Sequence, residues 1–198
     1  MIKAFTSPIA HETRTAAWLR SCGVVLVGSV FVAVCAQFAL PLYFTPVPLS
    51  MAPFAVLLLG LLLSPRLASA TLAAYLAEGA LGLPVFAPGP LAGIAHLVGP
   101  TAGYLLAYPF AAPLVSFLSR TGLGRIAGRG FSAALIAAAV GNLAILACGA
   151  GWMAALTHVA ALNVFSLSVV PFLPGDALKV VAAAGLATSF QRLQQRRP

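Results

Sequence analysis

FLPGDALKVVAAAGLA, Phe172 to Ala187, opens with a proline, a glycine and an oppositely charged pair, then runs on as unbroken apolar sequence. Pro174 suits the first turn of a helix, where its missing N–H costs nothing and its fixed φ favours the helix. Asp176 falls in that first turn, where a negative charge complements the helix dipole. Lys179 follows one turn later on the same face. A capping aspartate with an i,i+3 partner explains Asp176 well and Lys179 poorly. A ligand grip explains both: an acceptor and a cation presented together in a desolvated pocket, each lowering the cost of burying the other. Ionisable groups inside membrane spans are functional by default, which favours the grip.

The rest of the chain puts that segment in lipid. Of its 198 residues, 61% are hydrophobic and 7% charged, with a mean hydropathy of +1.03. A soluble domain carries about a quarter charged residues. A chain this apolar cannot cover itself with a polar surface, so it reads as an integral membrane protein. The net charge of +8 comes from short basic groups between apolar runs, a topology signal that excludes a nucleic-acid patch. Cys22, Cys35 and Cys148 lie in apolar stretches without metal-like spacing and read as packing residues. His96 and His158 lack partners at metal spacing and read as solvent-facing or helix-capping residues, so no metal or cofactor is expected. Lys3, Arg14 and Arg20 lead an apolar run in which Val34-Cys35-Ala36 resembles a cleavage site. That run continues to Leu40, which favours a retained helix.

Long apolar runs favour helices, which satisfy their own backbone in lipid. Interruptions delimit six spans, at about 21–40, 49–63, 67–83, 101–118, 131–150 and from 169 or 174 to 190. The second and third are short for a bilayer. Between them lie LYFTPVP, the Gly/Pro-rich stretch Pro84 to Pro100, and an ambiguous segment, Gly151 to Ser168, compatible with an interfacial helix. With the N-terminus inside, Lys3, Arg14, Arg20, Arg66, Arg120, Arg125, Arg129, Arg192, Arg196 and Arg197 are all cytoplasmic. The loops 41–50, 84–100 and 151–173 hold no lysine or arginine. The positive-inside rule therefore predicts an even number of spans with both termini cytoplasmic. The chain is expected to be one membrane domain, 1–198, with a cytoplasmic N-terminal segment (1–20) and a basic cytoplasmic tail (191–198). Lys179 is the basic residue left over. With Asp176 and Glu78 it converges on the outer half of the membrane.

Four blocks, PVPLSMAPFAVLLLGLLLSPRLA, YLAEGALGLPVFA, LVGPTAGYLLAYPFAA and PFLPGDALK, in that order resemble the BioY family, the biotin-binding S-components of energy-coupling-factor (ECF) transporters. The resemblance runs from about Ala36 to Lys179, and the GLPVFA and GPTAGY blocks are its distinctive parts. It implies an all-α, six-helix S-component bundle in the bacterial inner membrane with a vitamin site facing outward. It also implies that Asp176 and Lys179 belong to a biotin site. An aspartate can accept a ureido N–H; a lysine can pair with the carboxylate of biotin or donate to its ureido carbonyl, and both options for Lys179 stand. Apolar and aromatic groups would enclose the rest.

Tyr75 and Glu78 lie one turn apart near the end of the third span. Glu78 can face the pocket, pair with Lys179 or sit at the interface. Phe86, in a loop with the Gly/Pro content of a lid, and Tyr104, at the head of the fourth span, are candidates for ligand contact or for interfacial anchoring. Gln37, Thr45 and Asn163 are further polar groups near the outer surface. Ser29 and Ala33 form a small-xxx-small pair at the place where S-components carry an Ala-xxx-Ala surface for the coupling subunit; packing within the chain explains the pair equally well.

No G-x-x-x-x-G-K-[ST], HExxH or GxSxG motif is present. Concentrative uptake therefore calls for partners: a transmembrane coupling protein and ABC-type ATPases, with action alone or as a homo-oligomer as the alternative. Competing functions are an intramembrane enzyme acting on a lipid or isoprenoid, which lacks a visible activated nucleophile, a subunit for another small vitamin, and a structural subunit.

Overall fold

The computed structural model describes residues 14–120, 130–158 and 161–195. Six longer helices and one short one carry the fold: α1 (Arg14–Gln37), α2 (Ala52–Leu62), α3 (Pro65–Ala80), α4 (Ala102–Arg120), α5 (Phe131–Thr157), the short α6 (Ala161–Ser168) and α7 (Leu173–Gln195). A two-residue ribbon, Ala39–Leu40 against Leu49–Ser50, ties the ends of the α1–α2 loop in antiparallel register. The expected spans each correspond to a helix, and α5 runs seven residues beyond the expected end at 150. The ambiguous segment resolves into that extension and α6. Lys3, Arg125, Arg129, Arg196 and Arg197 lie outside the described residues.

Proline and glycine set the boundaries. Pro65 stands at the first turn of α3, and the preceding Ser64 is extended, so α2 and α3 meet at a sharp break. At the other end of α3, Gly82 takes a φ of +96°. Its N–H reaches the Gly79 carbonyl and that of Leu83 reaches Glu78, the Schellman arrangement that a left-handed residue completes. His158, with a φ of 54°, ends α5 in the left-handed region, and its exposure agrees with the capping expectation.

Packing inverts the pattern of a soluble protein. In the first half of α5 the buried face includes Ala133, Ala134, Ala137, Ala138 and Gly141, while Ile136, Val140 and Leu143 face out; Ile145, Leu146 and Met153 are buried farther along, toward the cavity end. On α7 the buried residues include Ala183, Ala184 and Ala187, while Leu178, Val181, Leu186 and Phe190 face out. Small residues let helix backbones approach in lipid, where burying a large apolar chain gains little over the hydrocarbon. Val27 and Leu178 are each 72% exposed and Phe110 76%, which only an apolar solvent tolerates. Among the described residues, four helices or helical stretches are long and apolar enough to cross a membrane on their own. The 11 residues of α2 extend about 16 Å. It compensates by sitting centrally, packed on α4 and α7 with most of its length buried.

The C-terminal carbonyls of α2 are satisfied by other helices. Ser116 Oγ donates to Leu63 O at 2.6 Å, the Arg120 guanidinium donates to Leu62 O and Leu63 O, and Gln191 Nε2 donates to Leu61 O. This places Arg120 and the end of α7, with Arg192, at one end of the bundle beside the α2–α3 break that carries Arg66. Ser29, however, does not offer a partner surface. It is fully buried, and its Oγ donates to Glu78 Oε1 at 2.7 Å across the α1–α3 seam. The outward face of α1 is instead Trp18, Leu26, Val27, Val30 and Val34. Replacing Ser116 by alanine should destabilise the bundle by about 1 kcal/mol, a net hydrogen bond lost at a buried carbonyl. Thermal unfolding of the detergent-solubilised variant would measure it.

Candidate functional site

At the end of the bundle opposite those arginines lies a cavity of about 330 Å³, within the range of small-molecule sites. Its walls come from α1, α2, α3, α4, α5 and α7 and from the loops 41–48 and 86–91. Asp176, Lys179, Tyr75, Phe86 and Tyr104 all line it, so five of the residues singled out in the sequence converge. Glu78 is not brought there. Its side chain is committed to Ser29, as described above, and neither the pocket contact nor the pairing with Lys179 forms.

The floor is polar. Lys179 Nζ donates to Asp176 Oδ1 at 2.8 Å, and both side chains are only 6% exposed. The second carboxylate oxygen accepts a hydrogen bond from Asn142 Nδ2 at 3.2 Å. Asn142 stands near the middle of the 27-residue α5. The charged pair is therefore deep in the bundle, farther from the outer surface than its place at the start of the sixth span suggests. α6 and a short 3₁₀ turn (Val170–Phe172) precede α7, and Ser168 at the end of α6 and Phe172 in the turn are already buried. Each carboxylate oxygen has a donor, so the capping reading does not exhaust Asp176; the pair is a buried, mutually neutralised unit open to the cavity.

The wall is aromatic. Tyr75 meets Phe86 edge-on at 5.4 Å and stacks on Tyr108 at 6.5 Å, both favourable ring arrangements. Tyr104 donates from its hydroxyl to Ser168 O at 2.7 Å, joining α4 to the end of α6. Its ring presses on Gly149, where any Cβ would collide with it. The roof is the segment after Gly82. Phe86 drops back into the bundle over Gly79, whose missing side chain makes the room. Tyr75 Oη donates to Val85 O at 3.2 Å, and Gln37 Nε2 donates to Pro84 O and Phe86 O, each at 3.0 Å. His96, expected to face solvent or cap a helix, instead lines the cavity and packs on Phe86 at 5.2 Å. Burial lowers its pKa below the ordinary value, with the Ala87 carbonyl opposing, so the ring is neutral at pH 7. Thr45 lines the cavity as well; Gln37 acts through the roof, and exposed Asn163 is not among the lining residues.

Two participants escaped the sequence reading. Tyr108 follows Tyr104 by one turn on the same face of α4, a periodicity that could have revealed it. Asn142 is a single amide inside an apolar span, and that polarity was its signal. Taken together, the cavity offers a deep acceptor and cation, an aromatic and aliphatic wall, and a hydrogen-bonded roof. It fits a small molecule with a polar head and an apolar body.

The buried pair also makes a stability prediction. Lys179→Met leaves an unneutralised carboxylate and should destabilise the protein by about 3–5 kcal/mol, whereas the double variant Asp176→Asn/Lys179→Met should recover most of that loss. Melting temperatures of the two variants in the same detergent would decide the matter; equal melting would mean that the pair is solvated.

Comparison with known proteins supplies the family and the fold. The BioY family model matches residues 7–196. A probable biotin transporter BioY of Pyrococcus horikoshii is 37% identical over 146 residues, covering 74% of this chain and 82% of its own. The biotin transporter BioY2 of Lactococcus lactis is 32% identical over 163 residues, covering 82% and 85%. Among solved structures, the S-component for biotin from an ECF-type ABC transporter superposes with a TM-score of 0.79 at 24% identity, over 89% of this chain and 93% of that one; it shares the fold. With its family model matched along nearly its whole length, and with curated relatives above 30% identity, this multi-pass membrane protein belongs to the BioY family.

Proposed function

We propose that this chain is the substrate-binding subunit of a biotin uptake system in the bacterial inner membrane, capturing the vitamin at the outer face and passing it inward. Family membership and the names of the relatives supply the ligand. The observation within this chain that carries the reading is the Asp176–Lys179 pair, buried at the floor of a cavity otherwise walled by aromatic and aliphatic groups.

Biotin joins a compact ureido ring, with two N–H donors and a carbonyl, to an apolar tail ending in a carboxylate. Asp176 provides the acceptor for a ureido N–H, and Lys179 provides a donor for either the ureido carbonyl or the tail carboxylate. Tyr75, Phe86 and Tyr104 enclose the apolar body. Such a site rejects ligands lacking its polar complement, because an unmatched buried charge is expensive. With the arginine-bearing end in the cytoplasm, as the positive-inside rule requires, both termini are cytoplasmic and the cavity opens outward. The chain has no nucleotide-binding loop. Energy for concentrative uptake would come from a transmembrane coupling protein and ABC-type ATPases.

The test is titration of the purified protein with biotin, beside Asp176→Asn and Lys179→Ala variants checked for folding by thermal melting. The wild type should bind, and each folded variant should bind roughly 10- to 100-fold more weakly, the loss of a hydrogen bond to a charged group. A wild type indifferent to biotin would remove the substrate assignment. Folded variants with unchanged affinity would move the site elsewhere.

A further inference from the structure

Asn142 has no place in the sequence reading, does not line the cavity and yet holds the residue on which the site depends. It is 6% exposed, with Gly141 before it packed against Val115 and Leu57. Its Nδ2 reaches Asp176 Oδ2 at 3.2 Å while Lys179 Nζ holds Oδ1 at 2.8 Å. Its own Oδ1 is buried without a hydrogen-bond partner. An orphaned acceptor inside a bundle is a standing cost that an apolar residue of the same size would avoid. The donating half of the amide must offset it, and that half is spent on Asp176 alone. The reverse orientation would set Oδ1 against a carboxylate, so the assignment of the amide follows from the contact itself.

We infer that Asn142 is a positioning residue of the ligand site, fixing the plane of the Asp176 carboxylate so that its remaining lone pairs face the cavity. Without this second donor the carboxylate is free to turn both oxygens toward Lys179 and close the pair on itself, leaving no acceptor for a ligand N–H. The amide and the ammonium compete for the carboxylate, and the 2.8 Å and 3.2 Å contacts record that both hold. A carboxylate only accepts hydrogen bonds, so the floor selects ligands that present N–H groups. The inference rests on the biotin reading above.

The experiment titrates biotin into the full-length wild type and into Asn142→Leu and Asn142→Asp variants. It spans about pH 5.5 to about pH 8.5, the range into which burial against the Asp176 carboxylate lifts an introduced carboxyl. Folded Asn142→Leu should bind about 10- to 100-fold more weakly, a hydrogen bond to a charged group having been removed. Asn142→Asp reproduces the donor only while it carries a proton. Its affinity relative to wild type should therefore be highest at the acid end and fall as pH rises. His96, Tyr104 and Tyr108, the other titratable groups lining the cavity, are common to both proteins, while the introduced carboxyl is coupled to the Asp176–Lys179 pair it touches, so the ratio reports that cluster as a unit. A folded Asn142→Leu that binds like wild type, or an Asn142→Asp ratio that is flat with pH, overturns the inference. If the leucine variant does not fold, the pH profile of the aspartate variant alone decides. A wild type that ignores biotin at every pH marks failure of the substrate assignment itself, and this inference falls with it.

Discussion

A carboxylate and an ammonium 2.8 Å apart, each nearly sealed from solvent, stand level with the middle of a helix whose outer face meets lipid, and the architecture around them answers their cost. Desolvating two such charges is repaid only when geometry is good and the remaining hydrogen-bonding capacity is used. Asn142 supplies part of that capacity. The depth goes with a buried approach to α7, since Ser168 and Phe172 just before it are already enclosed. It also requires α2 to stay short, since its first turn, at Ala52 and Pro53, lines the same cavity. A longer α2 would fill the space that the ligand needs.

Holding that cavity open without a hydrophobic driving force falls to close helix contact. Gly103 and Gly149 bring α4 and α5 together through Trp152 and Tyr104, and the alanine faces of α5 and α7 do the same at the opposite end. These contacts rely on shape, which is how helices associate in lipid. The large side chains left outside cost nothing in hydrocarbon. The bundle therefore spends its small residues on rigidity and its aromatic residues on the cavity wall, where Tyr75, Phe86, Tyr104 and Tyr108 gather.

Much of this was legible in the sequence, for physical reasons. Apolar run lengths and their Pro/Gly breaks locate the helices, because lipid leaves the backbone few choices, and the scarcity of charge makes Asp176 and Lys179 conspicuous. Glu78 was conspicuous for the same reason and misled: it sits one turn from Tyr75, but its carboxylate finds Ser29, a partner 49 residues away that no local spacing reveals. His96 was misjudged because a Gly/Pro-rich loop between spans suggests contact with water, whereas here the ring packs on Phe86 and lines the cavity. Asn142 was missed because the uncharged polar groups weighed were those near the outer surface, and this amide lies near the middle of a span. Local pattern gives elements and unusual residues; which of those residues meet is decided by the tertiary packing.

The two ends of the cavity differ in how firmly they are held, and that difference determines which end can admit a ligand. At the floor, removing either partner of the buried pair costs about 3–5 kcal/mol, and the helices carrying it are locked by glycine and alanine contacts. At the roof, the segment 84–86 hangs on hydrogen bonds from Gln37 and Tyr75, each contributing about 1 kcal/mol net. Phe86 adds burial against Gly79, but as a single side chain on an irregular segment it can withdraw without disturbing a helix. The path of least cost into the cavity is therefore through the roof. Gln37, at the last turn of the most exposed long helix, fastens that roof to α1, so any displacement of α1 acts directly on the cover of the site.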